Sequence, residues 1–332
     1  MTKLLVILGI TGNQGGSVAT FFLQKPEWKV RGIARNEKSE ACLTWAKKGV
    51  EIAQADFNDP ATLKDVFAGA TAIFVNTNFW DPFYNPAIQS LLAPGQTIND
   101  YCFQKEVQQM KNIADVAAKV DGLERLIVSG LCDASKWSNG KYKWVYHFDS
   151  KANGIDYLKE TYPGLSKKMS VIHMGPYMSN WKGNLRLRKA EDGSIRLVII
   201  KGTQNSLRPQ IDINRDTGSL VHAALEAEPG KNIVGTAANL TWPDQFKTWC
   251  DMMGLPYGGL DEMSLEEYSK LVPVPGLGRE IGEMWLFMDE FGYTGGEENV
   301  VLPEDLGVPC LLTSWEDYIR LEDWTDVLAK LK

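Results

Sequence analysis

The first apolar run of the chain, Lys3-Leu4-Leu5-Val6-Ile7-Leu8, ends on three glycines spaced three apart, Gly9, Gly12 and Gly15. An amphipathic stretch follows at once, and this order constrains the fold more than any other feature. A strand that turns sharply into a helix needs small residues at the turn. Their missing side chains let backbone N–H groups approach an anion at the helix N-terminus, where the dipole favours negative charge. Glycine triplets also occur in plain tight turns. The position, directly after an apolar strand and before a helix, favours a pyrophosphate cradle contacted by Gly9, Thr11, Gly12, Asn13, Gln14 and Gly15.

The first half continues the alternation. Short β-branched runs at 28–33, 50–54, 72–76, 125–129 and 170–173 read as strands, and 15–24, 39–48, 60–67 and 105–120 read as helices. Fully apolar strands alternating with helices imply a parallel sheet covered on both faces. The expected fold is therefore α/β, a doubly wound Rossmann sheet with a smaller, mostly helical α/β lobe towards the C-terminus. After about residue 176 the pattern changes, with strands at 196–201 and 210–214, a helix at 217–226, a strand at 230–235 and mainly helices from Trp242 onward. Residues 1–176 are expected to form the dinucleotide-binding domain, with 212–236 returning to it. Residues 177–211 and 237–332 are expected to form the substrate lobe.

Composition excludes several alternatives. With 35 basic against 42 acidic residues the net charge is −7, and no Lys/Arg run offers the basic face that a nucleic-acid binder needs. The five cysteines are scattered and form no CxxC pair, which suggests reduced thiols, and with three histidines no zinc spacing exists, so no metal is expected. The apolar N-terminus is too short to span a membrane, and a cytoplasmic location fits.

The residue that reaches the adenosine ribose lies about 20 positions beyond the glycine turn, at the end of the second strand. Here it is Arg35, in Gly32-Ile33-Ala34-Arg35-Asn36. A carboxylate would accept from a 2′-hydroxyl and favour NAD; a guanidinium fork suits a 2′-phosphate instead, so the cofactor preference is NADP(H). Lys38 or Ser39 is placed to add a second contact. Asp56 and Phe57 follow the third strand, at the adenine edge. Thr77, Asn78, Phe79 and Trp80 follow the fourth, near the nicotinamide half, since ligands of open parallel sheets bind at the carboxyl ends of strands.

Taken together, the glycine turn, Ala34-Arg35-Asn36, Ala55-Asp56-Phe57, Thr77-Asn78-Phe79-Trp80, His147-Phe148-Asp149-Ser150-Lys151 and Gly175-Pro176-Tyr177-Met178-Ser179-Asn180 resemble the NmrA-like proteins. These are atypical short-chain dehydrogenases related to the isoflavone and phenylcoumaran benzylic ether reductases. The resemblance runs in order over most of the chain. It implies a Rossmann domain with a C-terminal lobe over the nicotinamide cleft, a preference for NADP(H), and either reductase activity or sensing of the nicotinamide pool.

Short-chain dehydrogenases commonly carry Tyr-x-x-x-Lys, and this chain lacks it. Tyr146 precedes Lys151 by five residues, about 140° around a helix, whereas His147, four residues back, lies about 40° away. Lys151 is therefore the first candidate for handling a proton or orienting the cofactor. In related reductases the matching lysine does one or the other. His147, whose imidazole can give or take a proton, is the second candidate, and Ser129 at the end of the fifth strand is a third. Pro176 and Tyr177 are expected to edge the nicotinamide pocket, and Trp80, His173 and Asn180 to line the substrate pocket. The aromatic and proline-rich connection 79–101 reads as a binding loop or lid.

Two readings follow. One is an NADPH-dependent reductase that delivers hydride to a small organic C=C, C=N or C=O acceptor, with a largely apolar small molecule as substrate. The other is a non-catalytic NADP(H) sensor that reports to a protein partner. Redox-neutral isomerisation on the same scaffold is a third, and a homodimer is compatible with any of them.

Overall fold

The computed structural model describes residues 2–183 and 186–331. In chain order its strands are β1 (Lys3–Leu8), β2 (Trp28–Ala34), β3 (Glu51–Gln54), β4 (Ala72–Val75), β5 (Arg125–Gly130), β6 (Met169–Met174), β7 (Arg186–Lys189), β8 (Ile195–Ile200), β9 (Arg208–Gln210), β10 (Asn232–Gly235), β11 (Ala238–Leu240), β12 (Tyr257–Met263) and β13 (Val300–Val301). Eight of them form one sheet in the order β13-β10-β6-β5-β4-β1-β2-β3. Every neighbouring pair in it is parallel. Strand order reverses between β1 and β4, which puts the end of β1 and its glycine turn at the topological switch point.

The central strands are buried along their length because helices cover both faces. On one face Val18 and Phe22 of the helix Asn13–Phe22 pack with Leu220 and Val221 of the helix Thr217–Glu226 against Ile7, Phe74, Ile127 and Ile172. On the other, Met110 and Ile113 of the helix Ile98–Ala117 and Ile155 and Leu158 of the helix Tyr146–Thr161 pack against Val6, Ile73 and Val128. No helix among the described residues is long and apolar enough to cross a membrane.

A smaller unit stands beside this sheet. Its strands run β12-β8-β7, and Trp181, Phe246, Trp249, Trp315 and Tyr318 fill its core. The two-stranded pair β9–β11 lies between it and the main sheet, with Ile211 bridging to Tyr177. The run near 230–235 lies in the main sheet, as β10 beside β6. Three features depart from the sequence reading. The expected strand at 210–214 is β9 at 208–210, ending before Asp212 folds back to accept from Asn214 N. A strand, β12, interrupts the helices expected after Trp242. The connection 79–101 is largely helical: a short helix Trp80–Phe83, a 3-10 turn Pro86–Leu91, and then the long helix, which starts at Ile98 behind a capping box made by Thr97 and Asp100.

Candidate active site

The glycine turn is built for close approach. Gly9 sits at φ +74, a conformation that favours glycine, and its carbonyl accepts from Gly12 N. A Cβ on Gly15 would lie 2.3 Å from the Gly9 carbonyl oxygen, so only glycine lets the helix start this near the strand. The helix Asn13–Phe22 begins at Gly12 with no side-chain cap and no acidic residue in its first turn. Thr11, Gly12 and Asn13 are exposed. Uncapped N–H groups and an unopposed dipole end suit a pyrophosphate. Gln14 turns inward, and its Nε2 donates to Tyr177 Oη at 3.0 Å, tying the turn to the Gly175–Tyr177 loop. Pro176 lies half-buried in that loop.

At the end of β2 the Arg35 side chain is exposed, and its fork holds both carboxylate oxygens of Asp81, Nη1–Oδ2 at 2.9 Å and Nη2–Oδ1 at 3.2 Å. An exposed pair of this kind is worth about 0–1 kcal/mol. A 2′-phosphate, with more charge and a matching bidentate face, can take the guanidinium from Asp81. Ser39 caps the helix Glu40–Lys47 by accepting from Cys42 N at 3.3 Å, so its hydroxyl is already engaged. Asp56 accepts from Asn58, and Phe57 rests on the core beneath the helix Ile98–Ala117.

The end of β4 gathers buried ionisable groups. A Cβ on Gly9 would lie 3.7 Å from the Asn76 carbonyl, so this strand end adjoins the glycine turn. Next along the chain, Thr77 accepts from Lys151 Nζ at its carbonyl, 3.1 Å, and at Oγ1, 3.3 Å. The same ammonium meets Glu106 Oε1 at 2.6 Å. Glu106, 1% exposed, also accepts from Thr77 Oγ1 at 2.7 Å and from Ser150 Oγ at 2.5 Å. A buried carboxylate is tolerable only with a partner charge and its lone pairs filled, and both conditions are met here.

His147 belongs to a second carboxylate. Its ring Nδ1 lies 2.7 Å from Glu280 Oε1, and its backbone N donates to the same oxygen at 2.9 Å. Asn99 Nδ2 donates to Glu280 Oε2. Because a carboxylate only accepts, Nδ1 carries the proton and Nε2 is the free ring position. Trp80 flanks the ring at 5.0 Å between centroids, with buried Phe79 at 6.0 Å. Asn78 accepts from Trp80 N and so fixes the start of this segment.

Two tyrosines precede Lys151 without the Tyr-x-x-x-Lys spacing. Burial, with a hydrogen bond to Asp100, pushes the Tyr146 hydroxyl up to about 12. Burial, with Glu290, does the same to Tyr142. Three other expected residues stand on other elements. Ser129 shares the strand face of Ile127, which packs towards Phe22, whereas Lys151's helix packs on the opposite face against Val128. His173 is buried in β6, its Nε2 3.1 Å from Asn232 Oδ1, and burial lowers its pKa. Asn180 stands in the 3-10 turn Met178–Lys182.

Glu106, Glu280 and Asp81 were absent from the sequence reading, and two of them left a signal. Cys102, Glu106, Met110, Ile113 and Ala117 form one inward stripe, as do Glu280, Met284 and Phe287. A carboxylate on a buried stripe is costly unless paired, which makes it a candidate site residue, although Glu283 is buried beside Glu280 on the second stripe.

A further polar cluster stands on β9. Arg208, 1% exposed, places its guanidinium carbon 3.4 Å above the Trp242 ring and 5.8 Å from that of Trp285. Its Nη2 donates to Gln245 Oε1 at 2.9 Å, and no carboxylate pairs with it among the described residues. A desolvated cation–π contact returns about 2 kcal/mol, less than the several kcal/mol that a buried ion costs.

A model of the NmrA-like family matches residues 1–320. An NmrA-like family domain-containing oxidoreductase of Aspergillus campestris is 27% identical over 234 residues, 68% of this chain and 64% of the relative, so the match spans just under two thirds of that protein. Among solved structures, the negative transcriptional regulator NmrA in complex with NADP is similar with TM-score 0.72 and 16% identity, over 99% of this chain and 98% of the other. Leucoanthocyanidin reductase of Vitis vinifera with NADPH is similar with TM-score 0.69 and 12% identity, over 96% and 98%.

Proposed function

The chain belongs to the NmrA-like family, and from that premise we propose that it is an NADPH-dependent reductase acting on a small organic C=C, C=N or C=O acceptor. Backbone amides of Thr11, Gly12 and Asn13 hold the pyrophosphate, and Arg35 exchanges Asp81 for the 2′-phosphate. Thr77, Pro176 and Tyr177 border the nicotinamide half. When bound, NADPH supplies the hydride. Lys151 Nζ supplies or relays the proton that balances it, with Glu106 and Thr77 fixing the ammonium. His147 offers Nε2 as a proton acceptor that can relay a proton, its Nδ1–H being taken by Glu280.

The observation that carries this reading is the buried Glu106–Lys151 pair, 2.6 Å apart, at a strand end that adjoins the glycine turn. A protein that only senses the dinucleotide needs the phosphate grip but not a desolvated ion pair beside the reacting ring. The test is NADPH consumption at 340 nm against a panel of quinones, enones and cyclic imines. Saturable turnover with at least one acceptor is expected. Lys151→Ala should lower it roughly 10²-fold or more while NADPH still binds. NADPH binding with no turnover on any acceptor class would overturn the reductase reading in favour of the sensor.

A further inference from the structure

We infer that the Arg208–Gln245–Gln210 cluster is the subsite for a carboxylate of the substrate, which rests on the reductase reading above only for the placement of the nicotinamide. The cluster is a chain of donors with an unfilled end. Arg208 can only donate, so the oxygen of Gln245 must face it. That turns the Gln245 amide nitrogen to Gln210 Oε1, 2.9 Å away, and leaves Gln210 Nε2 outermost. Gln210 Nε2, Arg208 Nε and Trp242 Nε1 are all buried donors without an acceptor. Two orphaned donors beside an unpaired cation whose own Nε is unfilled call for an acceptor that carries negative charge. Burial lowers the guanidinium to about 9, so it stays charged at neutral pH.

The surroundings place this need beside the reaction. Arg208 and Gln210 alternate with Pro209, whose carbonyl lies 2.9 Å from where a Gly175 Cβ would be. Ile211 continues alongside Pro176 and Met178 through the bonds Ile211 N→Pro176 O and Met178 N→Ile211 O. The loop that edges the nicotinamide pocket thus runs next to the cluster. On its other side Trp285 stands on the helix Leu277–Phe291, the same helix that brings Glu280 to His147. A carboxylate satisfies more than one donor at once, and the walls of Trp242 and Trp285 suit an apolar or aromatic body attached to it. The substrate class that fits is an aromatic or hydrophobic carboxylic acid.

Benzoate and its neutral isostere benzamide probe this directly. The full chain is first titrated with NADP+, where absence of binding would count against the cofactor reading alone. Benzoate and benzamide are then titrated against wild type, Arg208→Met and Arg208→Lys, following tryptophan emission and heat. The expected result is saturable benzoate binding at least tenfold tighter than benzamide. It should weaken at least tenfold in Arg208→Met and partly recover in Arg208→Lys, with NADP+ affinity unchanged. Absence of benzoate binding, equal affinity for benzamide, or undiminished benzoate binding in folded Arg208→Met each overturns the assignment. Should Arg208→Met not fold, the wild-type preference for benzoate over benzamide decides.

Discussion

A single carboxyl shows how burial becomes a pH dependence. Asp149 lies on the helix Tyr146–Thr161 two residues before Lys151, buried, and accepts from Ser135 N at 3.2 Å and from Ser135 Oγ. Burial outweighs those bonds and pushes its carboxyl from 3.8 up to about 7. The folded chain therefore keeps this proton where the unfolded chain has released it. Stability falls as pH rises across that window and levels off above it. Asp149→Asn, which keeps both contacts with Ser135 and has nothing to titrate, is expected to be more stable than wild type at pH 8 by roughly 2–4 kcal/mol. The difference should shrink towards zero near pH 4. Urea unfolding at both pH values checks this; the same difference at both would contradict it. At this scale the sequence was informative where chemistry and position coincided, as at Lys151 and His147. It was silent at Arg208, because a basic residue in a three-residue strand carries no mark of being buried under two tryptophans.

Elements were legible in proportion to how apolar they are. The first six strands of the sheet lie within a residue or two of their expected bounds, since strands covered on both faces must be apolar throughout. β12 was not, because it is half-buried, contains Gly258 and Gly259, and shifts register between Tyr257 and Leu260. β13 is two residues long and pairs with β10 at the edge of the sheet. The start of the long helix at Ile98 was hidden behind the aromatic and proline residues before it. The strand–turn–helix at the N-terminus carries the strongest element-scale prediction. In Gly15→Ala the new methyl must displace the Gly9 carbonyl, and overpacking of this kind costs about 1–3 kcal/mol. Gly164 has open space around its Cβ position, so Gly164→Ala serves as the control. Thermal melting and NADPH titration should show a lower Tm and weakened binding for Gly15→Ala and neither for Gly164→Ala. Unaltered NADPH affinity in Gly15→Ala would contradict the close-approach account of the turn.

At the scale of the molecule, contacts between residues far apart in sequence assemble the cleft. Gln14 meets Tyr177, His147 meets Glu280, and Arg35 meets Asp81. The residues on one side of each pair were readable from motif and spacing; which partner each would find was not, because separation in sequence says nothing of proximity in a fold. The proposed dinucleotide opening lies where the carboxyl ends of the neighbouring strands β1, β2 and β4 adjoin. The whole account stands on that opening gripping a phosphorylated adenine dinucleotide. The most direct measurement is calorimetric titration of wild type and Arg35→Ala with NADPH and NADH at physiological salt. Charged hydrogen bonds of about 1.5–3 kcal/mol predict that NADPH binds wild type roughly 10–100-fold tighter than NADH, with most of that preference lost in Arg35→Ala. No saturable heat with either dinucleotide, or equal affinity for both in wild type, would contradict it.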